Sequence, residues 1–327
     1  MKKTINTVKV AGYIHSYGEA NGRNMLELKV SGPKSQNPGT EFIAGTIQVS
    51  VDGTGMNIIP VHFTYVTATY AKSGKPNPNF AALKKIIDNK ETNCIVKVGT
   101  AGAAIVSIDG SVALNDFYTD PEDDKSLVST KVIEGSFVNL LNELPEDDSK
   151  THRFECDMLI TKVTRVEADE ETKVKNDFVV VRGAAFNFRN ELLPLDFTVT
   201  NPEGMKYFEN LDPESEPVFT KVWGNVNCFT TTETRTEDSA FGEAAVKVYE
   251  RRVREWVITG TAKESYEFGE EGVLTVDELK KAMGDREVSL AENRKRSLDF
   301  KNNANTTTTT PAATTTAAPA KEAKFQF

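Results

Sequence analysis

Aromatic rings beside lysines and arginines on strand-like segments are the residues of this chain with a chemistry to offer. That chemistry is binding, since rings stack on flat ligands and cations neutralise anions. In VKVAGYIHS a period of two turns Val8, Val10 and Ile14 to one face and leaves Lys9, Tyr13 and His15 on the other. Arg23, Lys29 and Lys34 lie in or near the next strand, and the AKSGKPNPN segment after Tyr70 brings Lys72 and Lys75 into a positive loop. Further on, Arg182, Phe186, Phe188 and Arg189 sit close together, and Trp223 follows Lys221. YERRVREWVITG places Arg252, Arg254 and Trp256 on one strand face and Tyr249 and Arg251 on the other. Each of these rings has a second reading as a core residue, because large aromatics dominate the cores of small barrels.

Other chemistries find no footing. There is no nucleophile beside a base, no phosphate-cradling glycine loop and no metal triad, so no catalytic residue, cofactor or metal ligand is expected and the chain reads as a non-enzyme. Cys94, Cys156 and Cys228 stand singly, as do His15, His62 and His152, which excludes a zinc motif or disulfide framework. The cysteines read as small buried apolar residues, and His15 and His62 as structural or surface histidines within strands. Acidic runs at 119–125, 144–150, 168–172 and 211–217 read as surface loops without the spacing of a calcium loop.

The elements that must position these residues repeat. GTIQVSV around Gly45, IIPVHFTYV at 58–66, a helical FAALKKIIDN at 80–89 and a strand-like IVKVG at 95–99 form one series. GAAFNFR at Gly183, LLPLDFTVT at 192–200, a helical EGMKYFENL at 203–211 and FTKVWG at 219–224 form the other. Pro60, Phe63 and Thr64 align with Pro194, Phe197 and Thr198, and Lys97-Val98 with Lys221-Val222. A strand-rich unit with one helix before its fourth strand has the order of an OB-fold, a partly open five-stranded barrel that often binds oligonucleotides.

The expected fold is therefore mostly β. Two tandem OB-like barrel units, 1–147 and 148–272, precede a C-terminal helix at 273–300 and a disordered Thr/Ala/Pro tail at 301–327. Thr275 with Glu278 forms a capping box for the helix, whose apolar stripe runs to about Leu298 with Gly284 as a weak point. KNNANTTTTTPAATTTAAPA is too poor in apolar residues to fold, and as a random coil its twenty residues reach about 25 Å. Phe325 and Phe327 in the terminal KEAKFQF resemble a docking peptide.

With 327 residues and a net charge of −9 the chain is acidic as a whole, yet residues 1–100 hold 12 Lys and Arg against 6 Asp and Glu. Residues 101–150 hold 3 against 11. A basic local field is enough to hold a polyanion, so the first unit is expected to carry more of the phosphate contact and the second to add aromatic surface. No apolar run approaches a membrane span and no signal-peptide core follows Met1, which points to a cytoplasmic protein, in the host cytoplasm if viral. Stacking rings with nearby cations suit single-stranded nucleic acid. A structural or virion-associated β-protein with a Thr-rich spacer is the alternative.

Two strand-rich units over residues 1–300, the segment FGEAAVKVYERRVREWVITG and the helix TVDELKKAMGDREVSLAENRKR together resemble the single-stranded DNA-binding proteins of bacteriophages, including tandem-OB forms. The resemblance implies binding to single-stranded DNA during DNA replication or recombination, and a low-complexity tether ending in a peptide that recruits replication or recombination proteins. The tip departs from bacterial relatives, whose ends are acidic: Lys321 and Lys324 leave only Glu322 beside the two phenylalanines.

Overall fold

Strand alternation and asparagine caps set the order of elements. A computed structural model describes residues 4–18, 24–147, 151–169, 174–216, 218–237, 245–267 and 273–306. The first series comprises β1 (Asn6–Ser16), β2 (Glu27–Val30), β3 (Glu41–Ser50), β4 (Ile58–Thr67), helix α1 (Pro78–Asp88), the single turn α2 (Ile95–Val98), β5 (Ile105–Tyr118) and β6 (Leu127–Leu141). The second comprises β7 (His152–Val166), β8 (Phe178–Phe186), β9 (Leu192–Val199), helix α3 (Pro202–Glu209), β10 (Val218–Glu237) and β11 (Ala245–Thr261). Helix α4 (Val276–Thr306) follows.

Pairing closes each series into a ring. In the first, β1 pairs with β3, β3 with β4, β4 runs parallel to β6, and β6 returns through β5 to β1. In the second, β7 pairs with β8, β8 with β9, β9 runs parallel to β11, and β11 returns through β10 to β7. Both are five-stranded barrels with a helix between the third and fourth ring strands, the OB arrangement. Antiparallel pairing of β1 with β7 joins them into one eleven-stranded sheet.

The two helices start alike. Pro78 and Pro202 stand in the first turn, where a missing N–H costs nothing, and the side chains of Asn77 and Asn201 accept from the free amides of Asn79 and of Glu203 and Gly204. This Asn-Pro start is common to both series. Pro60/Pro194 and Phe63/Phe197 hold the same frame, with both rings buried inside their barrels. The glycines do not: Gly45 lies opposite Phe63, whereas Gly183 lies opposite Leu195 and Val181 faces Phe197. Each glycine still admits a close backbone, since an added Cβ would meet Met25 O at 2.1 Å or Leu159 O at 2.0 Å.

Two expectations change. Ile95–Val98 is not a strand, because the amides of Val98 and Gly99 bond back to Cys94 and Ile95, and Gly99 (φ +71°) ends the turn. The fourth ring strand is β5, so Lys97-Val98 has no counterpart role to Lys221-Val222. The helix after Thr275 runs to Thr306, past the expected end near Leu298, while residues 307–327, with Phe325 and Phe327, lie outside the described residues. Its capping box is formed: Glu278 N donates to Thr275 Oγ1 (3.3 Å) and Thr275 N to Glu278 Oε2 (3.0 Å).

Contacts group Met1–Asn115 with Ser129–Arg286 as one compact unit and Asp116–Val128 with Glu287–Phe327 as another. Inside the first, Phe154 stacks on Phe197 at 4.7 Å and meets Trp256 edge-on at 5.6 Å. A smaller cluster gathers Phe186, Leu192 and Phe219 beneath Leu274 and Ala282 of the helix start. Inside the second, the Arg294 guanidinium donates to the carbonyls of Pro121 (2.8 Å) and Glu122 (2.7 Å), and Lys301 pairs with Glu122 at 3.0 Å.

Candidate nucleic-acid interface

The strands β10 and β11 are longer than their barrel requires, and the excess forms an arm that reaches the first barrel. Asn57, at the β3–β4 turn, is the latch. Its Oδ1 accepts from Cys228 N (2.9 Å), its Nδ2 donates to Asn227 Oδ1 (3.0 Å), and Thr230 N donates to Met56 O (3.3 Å). Asp52 braces the turn by accepting from Asn57 N (3.0 Å), Ser50 Oγ (2.8 Å) and Thr54 Oγ1 (2.8 Å). Burial works against the Asp52 carboxylate, but hydrogen bonds from Thr54, Ser50 and Asn57 outweigh it and hold the carboxyl below its ordinary range.

Between arm and barrel lies a cleft of about 510 Å3. Its floor is the outward row of β3 and β4, including Gln48 and His62, with β6 beside it and β11 as the far wall. A single face of β11 runs through two settings. Trp256 and Ile258 point into the second barrel, while Arg252 and Arg254, farther along the same face, leave the barrel and line the cleft. Neither arginine is in an ion pair among the described residues. The third cation, Lys131 on β6, bonds Asp196 Oδ1 on β9 at 2.6 Å. Glu134 is the sole carboxylate among the lining residues, in a chain that is acidic overall, and it accepts from Thr64 Oγ1. Nearby His15 has its pKa lowered, first by burial and then by the positive charge of Arg252, with Asp52 opposing.

The remaining expected residues are dispersed. Lys9 lies opposite Arg153 across the β1–β7 seam, where Glu155 pairs with both Arg153 (3.1 Å) and Lys221 (3.2 Å). Trp223 has the Arg153 and Lys221 cations at 5.9 and 6.0 Å from its ring, and it packs on Gly260, where an added Cβ would meet its indole Nε1 at 2.5 Å. Tyr13 packs beside Gly53, and Lys29 pairs with Glu27 at 3.3 Å. Lys34, Tyr70, Lys72 and Lys75 are exposed in loops, Arg182 is exposed on β8, and Arg189 sits 5.1 Å from the exposed Phe188 ring. Arg23 lies outside the described residues.

Two rings expected at the surface are core residues instead. Phe186 is fully buried because the helix start covers the end of β8, and Trp256 is 4 % exposed because its stretch of β11 faces the Phe154–Phe197 pair. Lys131, His62, Asn57 and Asn227 were not among the expected residues. His62 was legible in principle, since it occupies the outward position between Val61 and Phe63 of the repeated strand.

No curated protein matches the chain. Among solved structures, it is similar to the wild-type single-stranded DNA-binding protein from Thermus aquaticus, with a TM-score of 0.45, 9% identity, and coverage of 81% of this chain and 95% of that one. It is also similar to a deletion mutant of the same Thermus aquaticus protein, with a TM-score of 0.44, 9% identity, and coverage of 83% and 100%. The YorF family profile matches residues 6–296, nearly the whole described length, and the chain belongs to the YorF family.

Proposed function

We propose that this protein is a non-catalytic single-stranded DNA-binding protein that holds a strand in the cleft between the first barrel and the β10–β11 arm. The observation that carries the reading is the pair Arg252 and Arg254, without an ion pair among the described residues and two residues apart on one strand face, set across from the β3–β4 surface. Ring strands two and three are the face an OB barrel offers to oligonucleotides, and β3 and β4 are those strands. The arginines, about 6.6 Å apart along the strand, suit successive phosphates of an extended chain. Phosphate contact is thus assigned chiefly to the arm of the second barrel, with Lys9, Lys221 and Trp223 at the seam as a secondary path.

The setting we assign is viral DNA replication or recombination, on the resemblance to bacteriophage proteins carried by residues 1–300. Within it, 1–147 and 148–272 serve as the two barrel domains, and the tail ending in Phe325 and Phe327 recruits protein partners. The test is fluorescence anisotropy of labelled single-stranded, double-stranded and RNA oligomers at two salt concentrations. Binding to single strands that weakens steeply with salt is expected. Absence of binding to long single strands at low salt overturns the reading.

A further inference from the structure

Strict alternation along β4 would bury Tyr65. Phe63 points into the first barrel, and a residue two places on should follow it. The register between β3 and β4 breaks that rule: Gly45 lies opposite Phe63 and Ile43 opposite Val66, so Thr64 and Tyr65 together face the single residue Ala44. Such a β-bulge re-aims a side chain. Tyr65 joins Thr64 on the outward row, where its ring lies against Phe42 with centroids 4.4 Å apart and planes 34° apart. Its hydroxyl reaches on across β3 to Ser31 Oγ at 3.2 Å, just past the end of β2.

The ring is thus fixed at both ends, seated on Phe42, and still 48 % exposed. A ring held in this way is a preorganised stacking surface. Thr64, its neighbour in sequence, lines the cleft, so the ring stands where the outward row of β3 and β4 leaves it. Lys29, opposite Phe42 on β2, brings a cation alongside and is paired with Glu27 at 3.3 Å. Within the cleft, Trp256 is the one aromatic among the lining residues, and its ring is buried. A strand held there by Arg252 and Arg254 first meets an open ring at Tyr65.

We infer that the Tyr65–Phe42 pair is a base-stacking site at the mouth of the cleft, with Tyr65 contacting a base and Phe42 positioning its ring. This rests on the proposed binding of single-stranded DNA in the cleft and adds the point at which a base of that strand is held.

The test compares oligothymidine with an abasic oligomer of equal length, which keeps the phosphates and lacks the bases. By anisotropy at matched salt the full chain should bind oligothymidine more tightly. Tyr65→Ala should weaken oligothymidine binding about five-fold or more and leave the abasic oligomer at its wild-type affinity. Tyr65→Phe keeps the ring, gives up the Ser31 bond, and should retain most of the preference. In the wild-type chain, oligothymidine carrying iodouracil should crosslink to Tyr65 under ultraviolet light, as located by mass spectrometry. An equal loss for both oligomers in Tyr65→Ala, no loss for either, or crosslinks confined to other residues overturns the stacking site and leaves single-strand binding standing. Failure of the wild type to bind either oligomer overturns both.

Discussion

The two barrels share ring order, helix placement, Asn-Pro caps and a buried Phe in the third ring strand, yet they use equivalent surfaces differently. In the first, the outward row of β3 and β4 opens onto the cleft. In the second, the Phe186–Leu192 end of β8 and β9 is covered by the start of α4, and Asp196, the counterpart of His62, takes the Lys131 ammonium. The arm also belongs to the second barrel: β10 and β11 run on past their ring, and β10 meets the β3–β4 turn at Asn57 and Met56. The two barrels have one scaffold, and in the second the equivalent face is taken up by packing.

The core should be where the copies behave most alike, and where damage is greatest. Phe63→Ala and Phe197→Ala should each cost about 3–5 kcal/mol, with Phe197 at the upper end because it also supports Phe154 and Trp256. Both tryptophans, Trp223 and Trp256, are in the second barrel, so their fluorescence reports that barrel alone while circular dichroism reports both. The β1–β7 ladder and the Asn57 latch predict coincident transitions in Phe63→Ala. A tryptophan transition at the wild-type denaturant midpoint would show that the barrels melt independently.

Binding should separate the copies. Removing two phosphate contacts with Arg252→Ala/Arg254→Ala should lower the single-strand salt slope by about 1.4, which amounts to about 25-fold in affinity at 0.1 M salt. Lys72→Ala/Lys75→Ala, in an exposed loop of the first series, should change affinity little. A larger loss from the loop pair, measured by anisotropy, would return the phosphate contact to the first barrel.

The latch comes next in size. Asn57→Ala leaves the Cys228 amide buried without its acceptor and should cost about 1–3 kcal/mol in denaturant melts. The same change should loosen the arm, visible as faster amide exchange at Cys228 and Thr230.

The repeat was legible because it rests on local rules. A buried Phe close to an outward Pro or His follows from strand period, and both third ring strands appear within a residue of where LLPLDFTVT and IIPVHFTYV place them. The arginine pair on β11 was legible for the same reason. What covers a strand face was not. Phe186 and Phe188 have the same parity in sequence, but α4 buries the first while Phe188, beyond the strand end, is 75 % exposed. Trp256 shares a face with Arg254, and only the barrel's edge decides that one is core and the other cleft. Lys131 sits in the most acidic stretch of the chain, where charge counting argues against a phosphate site; its place beside β4 comes from a parallel pairing about 70 residues away in sequence.

The smallest effect is the most direct probe of arm against barrel, because it joins His15 of the first to Arg252 of the second. Burial and the Arg252 charge lower the folded-state pKa of His15 below its unfolded value of 6.5. Above pH 6.5 both states are neutral and the full stability is present. As pH falls below 6.5 the unfolded chain takes up the proton first, so stability declines until the folded-state pKa is also passed. Arg252→Gln removes the second cause and should move the His15 titration, followed by NMR of its ring protons, back toward 6.5. A phosphate seated on Arg252 should act in the same direction, raising the His15 pKa when oligothymidine is added to the wild-type chain and leaving it unchanged in Arg252→Gln. An oligomer that binds without moving His15 in the wild type would place the strand away from Arg252, and so away from the arm.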